Sequence, residues 1–292
     1  MQHYFPDPNP AGLTDLTYFP PPAALKSRFG PSYLFTADQP LVSDVTRADF
    51  PQFRFMMAGM GDYHFQDGTK AQTPECCLLG TTLGATRMIV NGPLQAFGVS
   101  ILPLGWIALG LKDANLLADR VADMADLFGE EPQNLLHAFR EMDDPAQAAE
   151  MLWTFLAAQL KPPPPSHVAF VTQCDAWLAG DASPRVEALF EATGLSSRQA
   201  ARLANRLYGA PPKYLARKFR ALRCAAELGL DHQDWMEMVE GAFYDQSHFI
   251  REIKHFIGFT PHQLKTDPSP VARLTLQRRA MIGAVAEINR IS

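Results

Sequence analysis

Hydrophobic and polar positions change their rhythm several times along the chain. Residues 1–40 have no sustained period and carry Pro6, Pro8, Pro10, Pro20, Pro21, Pro22, Pro31 and Pro40. They read as an extended arm laid over a domain surface. From Leu41 to about Leu102, short apolar runs alternate with turn residues. The expected strands are Phe53–Met57, Asp62–Gln66, Glu75–Leu79, Thr86–Val90 and Gln95–Leu102. Gly59, Gly61, Asp67-Gly68, Gly84 and Asn91-Gly92-Pro93 break them. That spacing predicts a small antiparallel β-barrel or sandwich. Between Asp113 and Leu160 the apolar residues fall at helical spacing: Leu116, Leu117, Val121, Met124, Leu127 and Phe128. Gly129 and Asp143-Asp144-Pro145 divide this stretch into about three helices.

Lys161-Pro162-Pro163-Pro164-Pro165-Ser166 marks the main boundary. Consecutive prolines favour stiff polyproline II, so the linker is expected to hold two domains apart. Helices crowd the rest: His167–Ala179, one from Ser183-Pro184 to Ala192, Ser197–Tyr208 capped by Ser196 and stopped by Gly209, and Lys213 to about Leu228. The Tyr244–Leu264 stretch repeats the pattern. Asp245 is its N-cap, Tyr244 and Phe249 form a hydrophobic staple, and Gly258 is the stop. Thr260-Pro261-His262-Gln263 then opens another helix with a capping box.

A shift of 49 residues superposes the two stretches. Ser196 falls on Asp245, Arg202 on Arg251, Gly209 on Gly258, Pro212 on Pro261 and Leu215 on Leu264. The apolar stripe Ala200, Ala201, Ala204, Leu207 and Tyr208 falls on Phe249, Ile250, Ile253, Phe256 and Ile257. Helix, glycine turn, helix, given twice, predicts two helix-turn-helix units joined by the basic helix at 213–228. The chain therefore divides into residues 1–160, the linker 161–166, an all-α domain at 167–265 and an extension at 266–292. A last helix is expected at Val271–Ile291, and no role is assigned to it. The fold class is α+β.

Charge supports this division. The net charge is −5, but residues 1–165 hold 10 Lys and Arg against 18 Asp and Glu, and residues 166–292 hold 16 against 13. The mildly basic half suits a polyanion. Cys76, Cys77, Cys174 and Cys224 have no metal or redox spacing and read as reduced, buried thiols. His3, Asp62, His64 and Glu75 are the other metal-ligand types in the first half, but no histidine pair lies on the strands. His137 falls in the helical stretch. No metal, cofactor or catalytic residue is expected. The absence of an apolar run of membrane length or a signal pattern makes a cytoplasmic location the expectation.

Phe243-Tyr244-Asp245-Gln246-Ser247-His248-Phe249, with Arg251, Lys254, Gly258 and Pro261, resembles the second helix-turn-helix signature of AraC-type transcription regulators. The resemblance covers about 166–265. Ala204 and Ala242 depart from it, standing where a bulky aromatic and a glycine are usual, as do Met238, Val239 and Glu240. The run Leu79-Gly80-Thr81-Thr82, Ala85-Thr86-Arg87, Asn91-Gly92-Pro93, Phe97-Gly98-Val99 and Leu102-Pro103-Leu104-Gly105-Trp106 looks like the sensor-side domain of one AraC subfamily. The resemblance implies a cupin-like barrel with helices that binds an effector or dimerises. It also implies that base-reading side chains lie early in each recognition helix. These are Ser197, Arg198, Ala201 and Arg202 in the first, and Gln246, Ser247, His248 and Arg251 in the second. Arg suits guanine and Gln suits adenine. Arg206, Lys213, Lys254 and His255 are expected on phosphate. The expected partners are double-stranded DNA over two successive major-groove segments and a second copy docked through the helices between Asp113 and Leu160. A small-molecule or protein effector and RNA polymerase are candidates. The alternatives are a regulator whose N-terminal domain makes only protein contacts, and a cupin-type enzyme with a DNA-binding tail.

Overall fold

The computed structural model describes residues 14–228, 243, 245–276, 278 and 281–291. Eight strands form one antiparallel sheet: β1 (Thr14–Phe19), β2 (Phe29–Ala37), β3 (Leu41–Thr46), β4 (Gln52–His64), β5 (Lys70–Gln72), β6 (Cys76–Leu79), β7 (Thr86–Ile101) and β8 (Val121–Asp123). The main path runs β1-β2-β7-β4-β6-β8, with β3 on β7 and β5 on β4. The sheet curls into a barrel-like wall, but its end strands β1 and β8 are not paired with each other.

The supposed arm supplies two of these strands. Leu16 and Tyr18 on β1 alternate inward, Pro20–Pro22 start the turn, and Pro31 falls in the register break between Phe29 and Ser32. A proline at a bulge costs no ladder bond. Two breaks expected from glycines are bends inside long strands. At Gly59 (φ +79) the β4 register shifts, and the strand continues. Asn91-Gly92-Pro93 lies where β7 exchanges partners, with Asn91 opposite Leu41 of β3 and Leu94 opposite Ala37 of β2. The missing N–H of Pro93 falls in that gap. β8, in the stretch read as helical, is too short to show a period; it pairs with Cys77–Leu79.

Alternation gives the sheet two buried faces. Phe53, Phe55, Phe97, Val99 and Ile101 point to one side. There they meet α1 (Pro103–Ala108), α2 (Ala125–Phe128), α3 (Glu131–Arg140) and α4 (Pro145–Gln159). Phe139 of α3 sits edge-on to Phe55, with centroids 5.1 Å apart. Met56, Met88, Val90, Leu94 and Ala96 point to the other side.

The C-terminal half contains α5 (Pro165–Gly180), α6 (Val186–Thr193), α7 (Ser197–Tyr208), α8 (Pro212–Leu228), α9 (Gln246–Ile257) and α10 (Pro261–Thr266). The linker does not hold it away from the sheet. Pro165 already starts α5, and Lys161 N–H donates to the Ala108 carbonyl at 2.7 Å. Phe50 and Leu102 are buried in one cluster with Phe170, Leu207 and Phe219. Stiff prolines fix a short connection, and the apolar faces beyond them close against the sheet rim.

Among the described residues the extension holds two short helices rather than one, α11 (Pro270–Leu276) and α12 (Glu287–Ile291), with Gly283 at φ +75 between them. Val271, Leu274, Met281 and Val285 join the inner-face core of the sheet, and Ile288 joins the cluster under α5 and α8.

Candidate nucleic-acid interface

Both predicted recognition helices form with the expected caps. In α7 the Ser196 hydroxyl accepts from Gln199 N–H, and the Gln199 side chain accepts from Ser196 N–H at 3.0 Å. In α9 the Asp245 carboxylate accepts from His248 N–H at 2.7 Å. Each helix ends on a left-handed glycine, Gly209 at φ +83 and Gly258 at φ +92. The Thr260–Gln263 capping box then starts α10. The staple residue Tyr244, and Met238, Val239, Glu240 and Ala242, lie outside the described residues.

Helices α7 and α9 both pack on α8, which joins the two units. Their apolar stripes are buried: Ala200, Ala204, Leu207 and Tyr208 in α7, and Phe249, Ile253, Phe256 and Ile257 in α9. Ala204 is fully buried in the cluster that seats α7.

The opposite faces are open. Ser197, Arg198 and Arg202 are exposed on α7, with Ala201 half-buried between them. Gln246, Ser247 and Arg251 are exposed on α9. His248 is half-buried, with its ring 5.7 Å from that of Phe243. Thus six of the eight expected base-reading side chains project freely.

The expected phosphate contacts divide. Lys213 and Lys254 are exposed. Arg206 is exposed too, but it pairs with Asp113 of the N-terminal half at 3.1 Å. His255 is off the basic face on which it was expected. Its Nε2 lies 2.8 Å from the Tyr214 hydroxyl, and its backbone carbonyl accepts from Ala85 N–H at 2.8 Å. Burial, then the nearby Arg217, lowers its pKa, with Glu252 opposing.

Most of the charge on α8 is structural. Arg217 forms a two-pronged pair with Glu252 of α9, at 2.7 and 2.9 Å. Burial pushes the Glu252 carboxyl up, but hydrogen bonding and charge from Arg217 bring it below its ordinary range. Arg223 donates to the carbonyls of Leu178 and Ala179 near the end of α5. Arg220 stacks on Phe243 at 5.5 Å. Lys218 is buried, and its Nζ donates to the carbonyls of Asp49 and Thr82 at 2.8 and 2.9 Å.

The module is docked end-on against the sheet. The last turn of a helix leaves carbonyls without partners. In α9 those of His255 and Phe256 accept from Ala85 and Ala48 N–H groups of the N-terminal half. A Cβ on Gly258 would lie 2.4 Å from Val45 Cγ1, and one on Gly209 would lie 2.3 Å from Thr81 Cγ2. The two recognition helices therefore rest on the sheet domain by the same kind of glycine end.

Against the inner face lies a cavity of about 80 Å³. Leu16, Met88 and Leu94 line its apolar side; Arg47, Asp49, Gln52, Arg54 and Arg278 line its polar side. Arg278 and Asp49 form a buried ion pair at 2.7 Å. Tyr33 donates to Gln52 at 2.7 Å, and Arg54 donates to the same Gln52 oxygen. Asp49, Lys218 and Arg278 were not among the sequence candidates; no local motif marks them.

No group of three or more metal-ligating side chains that could hold a metal ion occurs among the described residues. No helix among them is long and apolar enough to cross a membrane. All four cysteines are free thiols and buried.

A scan against family models finds no match, and a search of curated proteins also finds none. Solved structures give matches. ToxT from Vibrio cholerae bound to an unsaturated fatty acid is 9% identical and aligns over 82% of this chain and 95% of its own, with a TM-score of 0.48. An apo form of ToxT gives 9% identity, 82% and 98% coverage, and a TM-score of 0.47. The AraC-like transcriptional activator CuxR is 14% identical over 82% and 88%, with a TM-score of 0.32. At these scores the likeness carries no functional argument; the caps, the glycine ends and the open polar faces do.

Proposed function

We propose that the protein is a sequence-specific DNA-binding transcription regulator of the AraC type, without a catalytic role. The observation that carries this reading is the pair of capped helices flanking α8, each with an open face of hydrogen-bonding side chains. Arg198 and Arg202, one turn apart on α7, would read base edges in one major-groove segment. Gln246, Ser247 and Arg251 would read the next, about one helical turn (~34 Å) away. Ala201 would give apolar contact and His248 an edge contact beside them. Lys213, Lys254 and, on release from Asp113, Arg206 would hold phosphates, which position without specifying.

The N-terminal half would bias how this module meets its site. The cavity supports a small-molecule effector, and the helices at 113–160 offer a surface for a second copy. RNA polymerase would be a further partner, in a cytoplasmic setting. One observation favours the second reading, in which the sheet domain makes protein contacts only: on the polar side of the cavity Arg278 already pairs with Asp49, and Tyr33 and Arg54 with Gln52.

Selection of bound sequences from a random DNA pool, by the full chain, tests the proposal. The expected result is enrichment of two short elements about one helical turn apart. Absence of any enriched sequence would sink it.

A further inference from the structure

Among the described residues lining the cavity, all but three belong to the sheet and its loops. Val271, Thr275 and Arg278 come from the segment that follows the second helix-turn-helix unit. The chain reaches that position through a three-residue link, Asp267-Pro268-Ser269. Each neighbouring strand of the wall is held by a backbone ladder. The part of the terminal segment that covers the cavity is held to the sheet, among the described residues, through side chains, and beyond it Ile288 of α12 is seated under α5 and α8. Val271 N–H donates to Asp44 Oδ2 at 3.1 Å, and Arg278 donates to Asp49 Oδ2 at 2.7 Å and Ser100 Oγ at 3.3 Å. Val271, Leu274, Met281 and Val285 add the apolar contact.

We propose that this terminal segment is a hinged lid on the barrel cavity, latched by the Arg278–Asp49 pair, and that a molecule enters the cavity by displacing it. The two kinds of contact suit opening. Arg278 and Asp49 are both taken out of water, with side-chain exposures of 4% and 13%. Between the closed and open states such a pair is near break-even, because opening returns both charges to water as the attraction is lost. It acts on the rate, since the 2.7 Å contact must break before water reaches either charge. The apolar side chains supply the closing force. An apolar molecule in the cavity covers the same inner-face residues and substitutes for that force. Thr275 and Arg278 line the cavity themselves, so the occupant meets the lid directly. The proposal stands whether or not the protein binds DNA.

The test uses the full-length protein and the neutral dye N-phenyl-1-naphthylamine, which fluoresces when it leaves water. Asp49→Asn with Arg278→Gln removes both charges and strands neither. Dye uptake should be about tenfold faster than in the unaltered protein. Asp44→Cys with Val271→Cys joins the lid to the rim; the native thiols are buried, so oxidation falls on the new pair. Uptake should be lost on oxidation and restored by a reductant. Uptake that is equally fast with the disulfide closed overturns the proposal. So does an unchanged rate in a folded neutral-pair variant, or no uptake by the reduced cysteine variant. Should either variant fail to fold or to crosslink, the other decides alone.

Discussion

The ammonium group of Lys218, on the helix between the two helix-turn-helix units, donates to the backbone carbonyl of Asp49 at 2.8 Å. Burial brings the Lys218 pKa down to about 8, against partial support from Asp49 and Asp119. Between about 8 and the ordinary 10.5 the unfolded chain binds more protons at this position than the folded one. Stability therefore rises with pH across that window and has no contribution to its slope from Lys218 below it. Urea melts between pH 7.5 and 10.5 should show the rise, and Lys218→Met should flatten it. At neutral pH the same variant leaves the Asp49 and Thr82 carbonyls unserved, at a cost of about 2 kcal/mol.

Asp175 moves stability the opposite way. Its carboxylate accepts from the Tyr208 hydroxyl at 2.5 Å, tying α5 to α7. Burial raises its pKa to about 7 although that hydrogen bond pulls downward. Between pH 4 and 7 the folded state binds the extra proton. This contribution is whole near pH 4, falls as pH rises and is lost above 7. Asp175→Asn should remove the slope in melts measured from pH 4 to 8; an unchanged slope would place the titration elsewhere.

Glycine ends make a graded set. Gly194, at φ +65, has nothing within 4 Å of a notional Cβ, so Gly194→Ala should cost only the backbone strain, about 1–2 kcal/mol. Gly258→Ala meets the same strain and also collides with Val45. Its cost should exceed that of Gly194→Ala by at least about 1 kcal/mol in chemical denaturation. Equal costs would mean that α9 does not rest on the sheet as described.

On the proposed DNA reading, Arg251→Ala should weaken binding to a selected site about ten- to hundredfold and relax preference at one base position. Lys254→Ala should weaken all sequences alike and reduce the salt dependence. Arg251 is exposed, so thermal melting of the variant should match the parent. Retention of full specific binding would show that α9 meets DNA in another register, or not at all.

What the sequence revealed follows the range of the forces involved. Ser196, Asp245, Gly209 and Gly258 act within one turn of their own helix, and all four take their expected roles. The open faces of α7 and α9 followed from the same periodicity. The Lys218–Asp49 contact spans 169 residues and the Arg278–Asp49 pair spans 229, and no local pattern announces either. His255 shows the same limit. Its place on α9 was legible, but Tyr214 and Ala85, which hold it, come from other elements. Glycine and proline misled in the sheet, because Gly59 and Pro93 stand inside long strands at a bulge and a change of partner.

After its second helix-turn-helix unit the chain returns to the sheet. While the terminal segment is seated, the helical module is mechanically a beam fixed at both ends, not a cantilever swinging from a proline hinge. The freedom left to it is flexure of the whole body, in which both recognition helices tilt together. Heat should accordingly melt the two halves in one cooperative transition, and a cut within 161–164 should leave the fragments associated through the terminal segment.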